Sequence, residues 1–530
     1  MIKSATLKLY QALHTWTGII AGFALFIAFY AGAITVFHAD LHSWQDPDTR
    51  GAAYEQIDDA GPRIARFHAQ HPELKGNFAV MLPSDHDPAL VAWWFDAARN
   101  EWVNKPLAQA EQHIAPAPHS KLADLVNELH YSLGLPVAGI WVMGVVSLLY
   151  GVALISGVVV HLPLLVKDLF ALRPGRNLKR FWQDAHNAIG VLSLPFHLIF
   201  AVTGAIFCLF TLMAAVFNYG VFDGKLMSEF PSYTSSAVPR TAAKQPAAML
   251  PPAELVGVAR RVAPQMEANW LSFSNYGDRN ATVEIRGVSP NTLAPYGGIG
   301  VELATGRVLR IDIPGQRSVN QAVLGSVYAL HFGSFGGHLM QWLYFVLGLA
   351  GAFLFYSGNL LWIEARRKRQ NPEQPLRTWR MAQATVGVCI GACAAISAAF
   401  VASMVAHMVG GDPALFERVA CFATFFILLG WAFCRAPARA AIELLLTAAV
   451  LSALIPLANA IATGDHLLVT PWRGLWGVFG VDAMGLALAA GFTALARATW
   501  RRARSGQPGS VWALTPPDKT RATTVVEQAS

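Results

Sequence analysis

Charge is what this 530-residue chain has least of: Asp, Glu, Lys and Arg make up 14% of it, against 54% hydrophobic residues. With a mean hydropathy of +0.39, that shortage excludes an ordinary soluble domain and predicts a polytopic membrane protein. Acidic side chains are almost missing from the long apolar runs, and Asp482 stands out. Their scarcity argues against a permease, which would need buried acidic pairs in its spans. Cysteine is scarce too. Cys208, Cys389, Cys393, Cys421 and Cys434 lie in or beside apolar runs, and the long polar loops hold none, which excludes an exported disulfide framework. Cys389 and Cys393, four apart on one helix face, read as small packing residues. No Cys/His cluster has zinc spacing and no nucleophile elbow is present. Gly297-Gly298-Ile299-Gly300 lacks the strand–helix setting of a dinucleotide fingerprint. The net charge of +7 falls in short basic clusters beside apolar runs, a topological pattern that gives no reason to expect a nucleic-acid partner.

What is present is apolar length. Eight runs, about 14–38, 134–162, 186–217, 338–363, 381–409, 416–434, 439–462 and 474–497, are each long enough to cross a bilayer. The first could pass for a signal peptide, but it is longer than a signal h-region and has an internal counterpart, so it is read as retained. Lys3 and Lys8, then Lys167, Arg173, Arg176, Lys179 and Arg180, then Arg366, Arg367, Lys368 and Arg369 fall on one side of the membrane. Arg435, Arg439, Arg497, Arg501, Arg502 and Arg504 share that side, which places both termini in the cytoplasm. Two long loops, 39–130 and 218–330, are then exported, into the periplasm of a Gram-negative cell. Each reads as a small α+β module. The first has IARFHAQHP as helix and NFAVMLP, LVAWWFD and EWVNKPL as strands. The second has a helix over Ala253–Ala263, then TVEIRGV and GIGVELATGRVLRI with a turn at Thr305-Gly306.

The first four runs are two copies of one unit. His14-x-x-x-Gly18 leads to Gly32, and His186-x-x-x-Gly190 leads to Gly204, 18 residues from histidine to later glycine in both. Leu129-His130-Tyr131 leads to Gly157, and Leu330-His331-Phe332 leads to Gly358, 27 residues in both. Copies packed about an axis along the membrane normal bring equivalent residues to equal depth, His14 with His186 on the cytoplasmic side and His130 with His331 on the outer side. Two imidazoles at one depth on different helices are what a six-coordinate haem needs. The glycines either pack helices closely or make room for a porphyrin. His161 lies level with His14 and His186 and is an alternative ligand. His197, eleven residues after His186, is expected about 16 Å further along one straight helix and on the same face, as a ligand of a deeper site or a residue between sites. The structural alternative is that His186 snorkels at the interface and His197 bonds a neighbouring backbone carbonyl. His38, His338, His407 and His466 are read as structural.

LHTWTGIIAGFALFIAFYAGAI, ELHYSLGLP, HNAIGVLSLPFHLIFAVTGAI and LHFGSFGGHLMQWLYFVLGLAGAFLFYSGNLLW resemble the PepSY-associated transmembrane family, often called iron-regulated membrane proteins, over about residues 1–370. VELATGRVLRI resembles the strand-turn-strand end of a PepSY module. The resemblance implies an all-α polytopic protein of about eight transmembrane helices, duplicated in the first four, with two small PepSY-like exported modules. It divides the chain at 1–38, 39–130, 131–217, 218–330, 331–370, a four-helix extension 371–505 and a disordered tail 506–530. Similar members are inner-membrane ferric-siderophore reductases with two b-type haems, and His14, His130, His186, His331, His161 and His197 occupy family histidine positions. The function so implied is transmembrane electron transfer from a cytoplasmic or quinol donor to a periplasmic ferric siderophore. The other readings are a haem-free scaffold binding exported proteins and a siderophore permease. Distance is a difficulty: from His14 to His38 is about 36 Å of helix, so the outer site must sit inward of the membrane boundary or His197 must form a central one.

Overall fold

The computed structural model describes residues 4–84, 88–111, 119–162, 178–226, 228, 230, 234–290, 292–367, 374–506 and 510–514. In chain order, α1 (Ser4–Thr35) and α2 (His38–Gln45) precede α3 (Ala60–Gln70), β1 (Phe78–Met81), β2 (Val91–Asp96), β3 (Glu101–Pro106) and α4 (Leu107–Glu111). Then come α5 (Leu122–Ser132), α6 (Ala138–His161), α7 (Leu178–Leu192), α8 (Leu194–Cys208) and α9 (Phe210–Gly220). Next are α10 (Pro252–Val262), β4 (Glu267–Ser274), β5 (Thr282–Val288), β6 (Tyr296–Glu302), β7 (Val308–Asp312), α11 (Val319–Phe332) and α12 (Gly337–Ala365). The chain closes with α13 (Leu376–Thr385), a π-helical turn, α14 (Gly391–Val409), α15 (Pro413–Cys434), α16 (Pro437–Thr463) and α17 (Trp476–Arg504). It forms two compact units. One comprises residues 1–45, 120–208 and 345–530, and the other 46–119 and 209–344.

The first unit is a helical bundle. Among the described residues, seven helices are long and apolar enough to cross a membrane: α1, α6, α12, α13 continued into α14, α15, α16 and α17. The eighth expected span is bent. α7 and α8 meet at 70°, so His186 and His197 do not lie on one straight helix, and the expected rise between them does not hold. The cause is local. Ser193 turns its hydroxyl back onto the Ile189 carbonyl at 2.5 Å, and Pro195, in the first turn of α8, has no N–H to continue the ladder of α7. The basic residues Lys3, Lys167, Arg173, Arg176, Lys368 and Arg369 lie outside the described residues. Part of the expected disordered tail is packed: Val511 is buried against Ile363 and Ala382, because an apolar Val-Trp pair follows the charged end of α17. Residues 515–530 lie outside the description.

In the second unit the two long loops do not form separate modules. They share one antiparallel sheet of order β3-β2-β1-β4-β5-β6-β7, joined where Phe78 pairs with Phe273 and Val80 with Leu271. The physical reason is edge pairing: a three-stranded and a four-stranded piece would each expose an unpaired backbone row, and β1 and β4 satisfy one another. α3 and α10 cover one face, burying Ile64, Phe67, Leu255 and Ala259 on Val80, Trp94, Leu271, Ile285 and Ile299. Period-two alternation puts Trp94 and Phe273 in that core, while Trp93 and Trp270 meet on the opposite face, ring centroids 5.5 Å apart and planes at 54°. On the same side Trp102 is 71% exposed. The glycine run of β6 has a packing role. A Cβ at Gly300 would lie 2.3 Å from the Ser236 carbonyl oxygen, so the strand admits a crossing segment only as glycine.

Glu302 ties the β6–β7 turn. It accepts hydrogen bonds from Thr305 Oγ1 (2.5 Å), Arg240 Nη1 (2.7 Å) and Arg307 Nη2 (3.1 Å), which hold its carboxyl down to about 2. Its folded value lies below its unfolded one, so its contribution is full above about pH 4.5 and is lost as pH falls toward about 2; with solvent screening it is on the order of 1 kcal/mol. Hydrogen exchange across residues 301–308 is expected to quicken over that window in the natural chain. Glu302→Gln should flatten the dependence, and an unchanged pH profile in that variant would contradict the assignment.

Candidate functional site

Three histidines of the bundle make the same contact. His14 Nδ1 lies 2.8 Å from the Ala153 carbonyl, His130 Nδ1 2.8 Å from that of Ala28, and His186 Nδ1 3.1 Å from that of Leu354. Each carbonyl lies four residues before a glycine: Gly157, Gly32 and Gly358. Each ring packs on that glycine. A Cβ there would fall 2.9 Å from His14 Cε1, 2.6 Å from His130 Nδ1 and 3.4 Å from His186 Cε1. The absent side chain lets the imidazole reach a carbonyl that also belongs to its own helix. A carbonyl only accepts, so each Nδ1 carries the proton and the lone pair stays on Nε2, the tautomer that binds metals. The contacts of His14 on α6 and of His186 on α12 are equivalent in the repeat, so the duplication is visible in the packing.

The bundle brings His14 and His186 together, with ring centroids 6.3 Å apart and planes at 77°. His130 meets α1 at Ala28 and Gly32, about 21–27 Å along that helix from His14. That is well inward of His38 and shortens the distance expected between the two levels. A Cβ at Gly18, one turn beyond His14, would meet nothing within 4 Å. His161 ends α6 with its Nε2 buried and, among the described residues, without a hydrogen-bond partner. His197 is fully buried with both nitrogens engaged, Nδ1 by the Tyr150 hydroxyl at 2.6 Å and Nε2 by Ser193 Oγ at 2.9 Å. It sits against Phe29, 5.8 Å between rings, as a hydrogen-bonded core residue. His331 lies in α11 of the second unit, beside Phe332. His338 bonds Gln341 at 2.9 Å, and His407 and His466 are exposed.

Sequence reasoning missed two buried polar junctions. Glu417 of α15, fully buried, accepts from Ser120 Oγ (2.5 Å) and from the Lys121 N–H (3.0 Å). Asp482 of α17, also fully buried, accepts from Trp44 Nε1 and Asn459 Nδ2, both at 2.8 Å. Both carboxylates fasten the extension to elements flanking the first long loop. The signal was legible, since Glu417 is the one acid in the apolar α15.

A 261-residue stretch is 31% identical to an uncharacterised protein of Pseudomonas aeruginosa, covering 46% of this chain and 64% of that protein. The chain thus spans somewhat less than two thirds of that curated relative. The family model described as the PepSY-associated TM region matches residues 11–365, which takes in both copies of the repeat, the seven-stranded sheet and all six histidines. The chain belongs to the PepSY-associated transmembrane family.

Proposed function

We propose that this protein is a membrane oxidoreductase that holds b-type haem between its duplicated helices and reduces ferric siderophores outside the cytoplasm, releasing iron. The observation that carries this reading is the shared seating of His14, His130 and His186, each with Nδ1 given to a carbonyl and the Nε2 lone pair left for a metal. The spacing of the first pair fits the same purpose. Imidazoles on opposite faces of one iron have ring centres about 6 Å apart, with metal–nitrogen bonds of roughly 2 Å and roughly 1 Å from nitrogen to ring centre. The open space at Gly18 suits a flat macrocycle beside them.

When bound, haem held by two imidazoles would supply a one-electron couple and would leave no open site for O₂. The chain does the rest. His14 and His186 hold the first level, with His161 as the alternative ligand there. His130 serves the second level, with His331 as its counterpart in the repeat. The carbonyls of Ala153, Ala28 and Leu354 fix ring orientation, and the apolar helices exclude water. His197 keeps a hydrogen-bonding role. Substrate chemistry supports the assignment, because hexadentate oxygen ligands hold hard Fe(III) far more tightly than Fe(II), so one electron loosens the metal. The exported sheet, with Trp102 and its aromatic face, offers a surface for the chelate. The chain then lies in the inner membrane of a Gram-negative cell with both termini cytoplasmic, and draws electrons from a cytoplasmic protein or a quinol.

The deciding experiment is a redox difference spectrum with haem quantitation, before and after adding a ferric siderophore. Haem bands that reoxidise on addition support the reading. A colourless preparation made with ample haem supply favours a scaffold for exported proteins instead. Gly32→Ala gives a sharper result. The added methyl meets His130 Nδ1 at 2.6 Å and pushes the ring off Ala28, so loss of up to one haem equivalent is expected. Gly22→Ala, where the nearest atom is 3.7 Å away, should leave haem content unchanged.

A further inference from the structure

Directly after the first span, α2 presents His38 and His42 one helical turn apart, with ring centroids 4.5 Å from each other and planes at 65°. Asp124, in the first turn of α5, faces them, and its Oδ1 lies 3.8 Å from His38 Nε2. Each of the three residues offers one donor atom such that all three lie within 4.8 Å of one another. The 3.8 Å gap is long for an N–H···O bond, whose usual range ends at about 3.2 Å. It is an ordinary separation for two ligands of one ion, because metal–donor bonds of roughly 2.0–2.2 Å set neighbouring donors about 3–4 Å apart.

The two helices are held in this relation by Gln45, the buried last residue of α2. Its Oε1 accepts the Ala123 N–H at 2.8 Å, and its amide nitrogen lies 3.3 Å from the Ser120 carbonyl and 2.9 Å from His42 Nδ1. An ion that takes His42 Nδ1 displaces one neutral hydrogen bond in exchange for a coordinate bond.

We infer that His38, His42 and Asp124 form a binding site for a divalent first-row transition-metal ion, held by two imidazoles and one carboxylate with its other positions open to water. Two nitrogens and one oxygen suit Fe²⁺, Co²⁺, Ni²⁺ or Zn²⁺ and disfavour Mg²⁺ and Ca²⁺, which take oxygen cages. His38 and Asp124 are 42% and 56% exposed at their side chains, so the ion reaches the site from solvent and exchanges. The site does not rest on the haem reading, since none of its residues belongs to the imidazoles seated on glycine.

The test is isothermal titration of Zn²⁺ into untagged, chelator-treated full-length protein in detergent. Binding is expected in the natural chain and absent with Mg²⁺. His42→Ala and Asp124→Asn should each weaken the Zn²⁺ event at least tenfold. Asp124→Asn changes an exposed side chain and keeps its shape, so monodisperse elution and unchanged helicity separate lost binding from misfolding. Undiminished Zn²⁺ binding in a chain carrying His38→Ala, His42→Ala and Asp124→Asn together, or no binding in the natural chain, overturns the site.

Discussion

His186→Ala is expected to remove one haem equivalent from the purified protein, read as haem per chain and as the matching loss in the reduced-minus-oxidised spectrum. His186 brings to its level a ring packed on Gly358, fixed by the Leu354 carbonyl and 6.3 Å from His14. An alanine there leaves one imidazole for an iron that needs two, and no other side chain of α7 replaces it. His14→Ala should cost the same equivalent, and the double variant should cost no more, because two ligands of one iron act as a unit. If His161→Ala reproduces the loss while His14→Ala does not, His161 is the partner. His407→Ala and His466→Ala should leave the spectrum intact, since both rings are exposed on the extension. Full haem content in His186→Ala would remove His186 from the site and with it the main support for an oxidoreductase.

The largest expected stability loss comes from a residue outside the repeat. Asp482→Ala takes an acceptor away from two buried donors at once, Trp44 Nε1 and Asn459 Nδ2. Desolvated donors deprived of a partner cost about 1–3 kcal/mol each, so a total of roughly 2–5 kcal/mol is expected, a large share of a typical 5–15 kcal/mol. The change should also loosen α2 from α17, because the Trp44–Asp482 bond joins them directly. Thermal unfolding in detergent measures the first effect, and hydrogen exchange of residues 38–45 measures the second. Asp482→Asn keeps one oxygen and should lose less. Equal stability of the alanine variant and the natural chain would show that the junction contributes nothing.

Legibility varied with the kind of signal. The spans were readable because bilayer-crossing helices need about 20 apolar residues whatever they pack against. The helices and most strands of the two long loops follow from periodicity, but β4 does not stand out although Leu271 and Phe273 alternate with polar neighbours. That strand is the one that pairs with β1, so missing it led to two modules where there is one sheet. The break between α7 and α8 was also visible in principle, as Ser193-Leu194-Pro195 interrupts the apolar run. Hydropathy alone smooths over such a break, and the common face drawn for His186 and His197 followed from that smoothing.

By itself, the sequence determined the membrane class, the duplication and the histidines set at matching intervals in both copies. Those properties are local or periodic, and a one-dimensional pattern carries them in full. Only the tertiary structure decided which carbonyl each imidazole meets, that His197 spends both nitrogens on Tyr150 and Ser193, and that α2 and α5 bring His38, His42 and Asp124 within reach of one ion. Such facts depend on the angle and rotation at which helices distant in sequence pack. Helix packing is set by the sum of many small side-chain contacts, and no spacing along the chain encodes it.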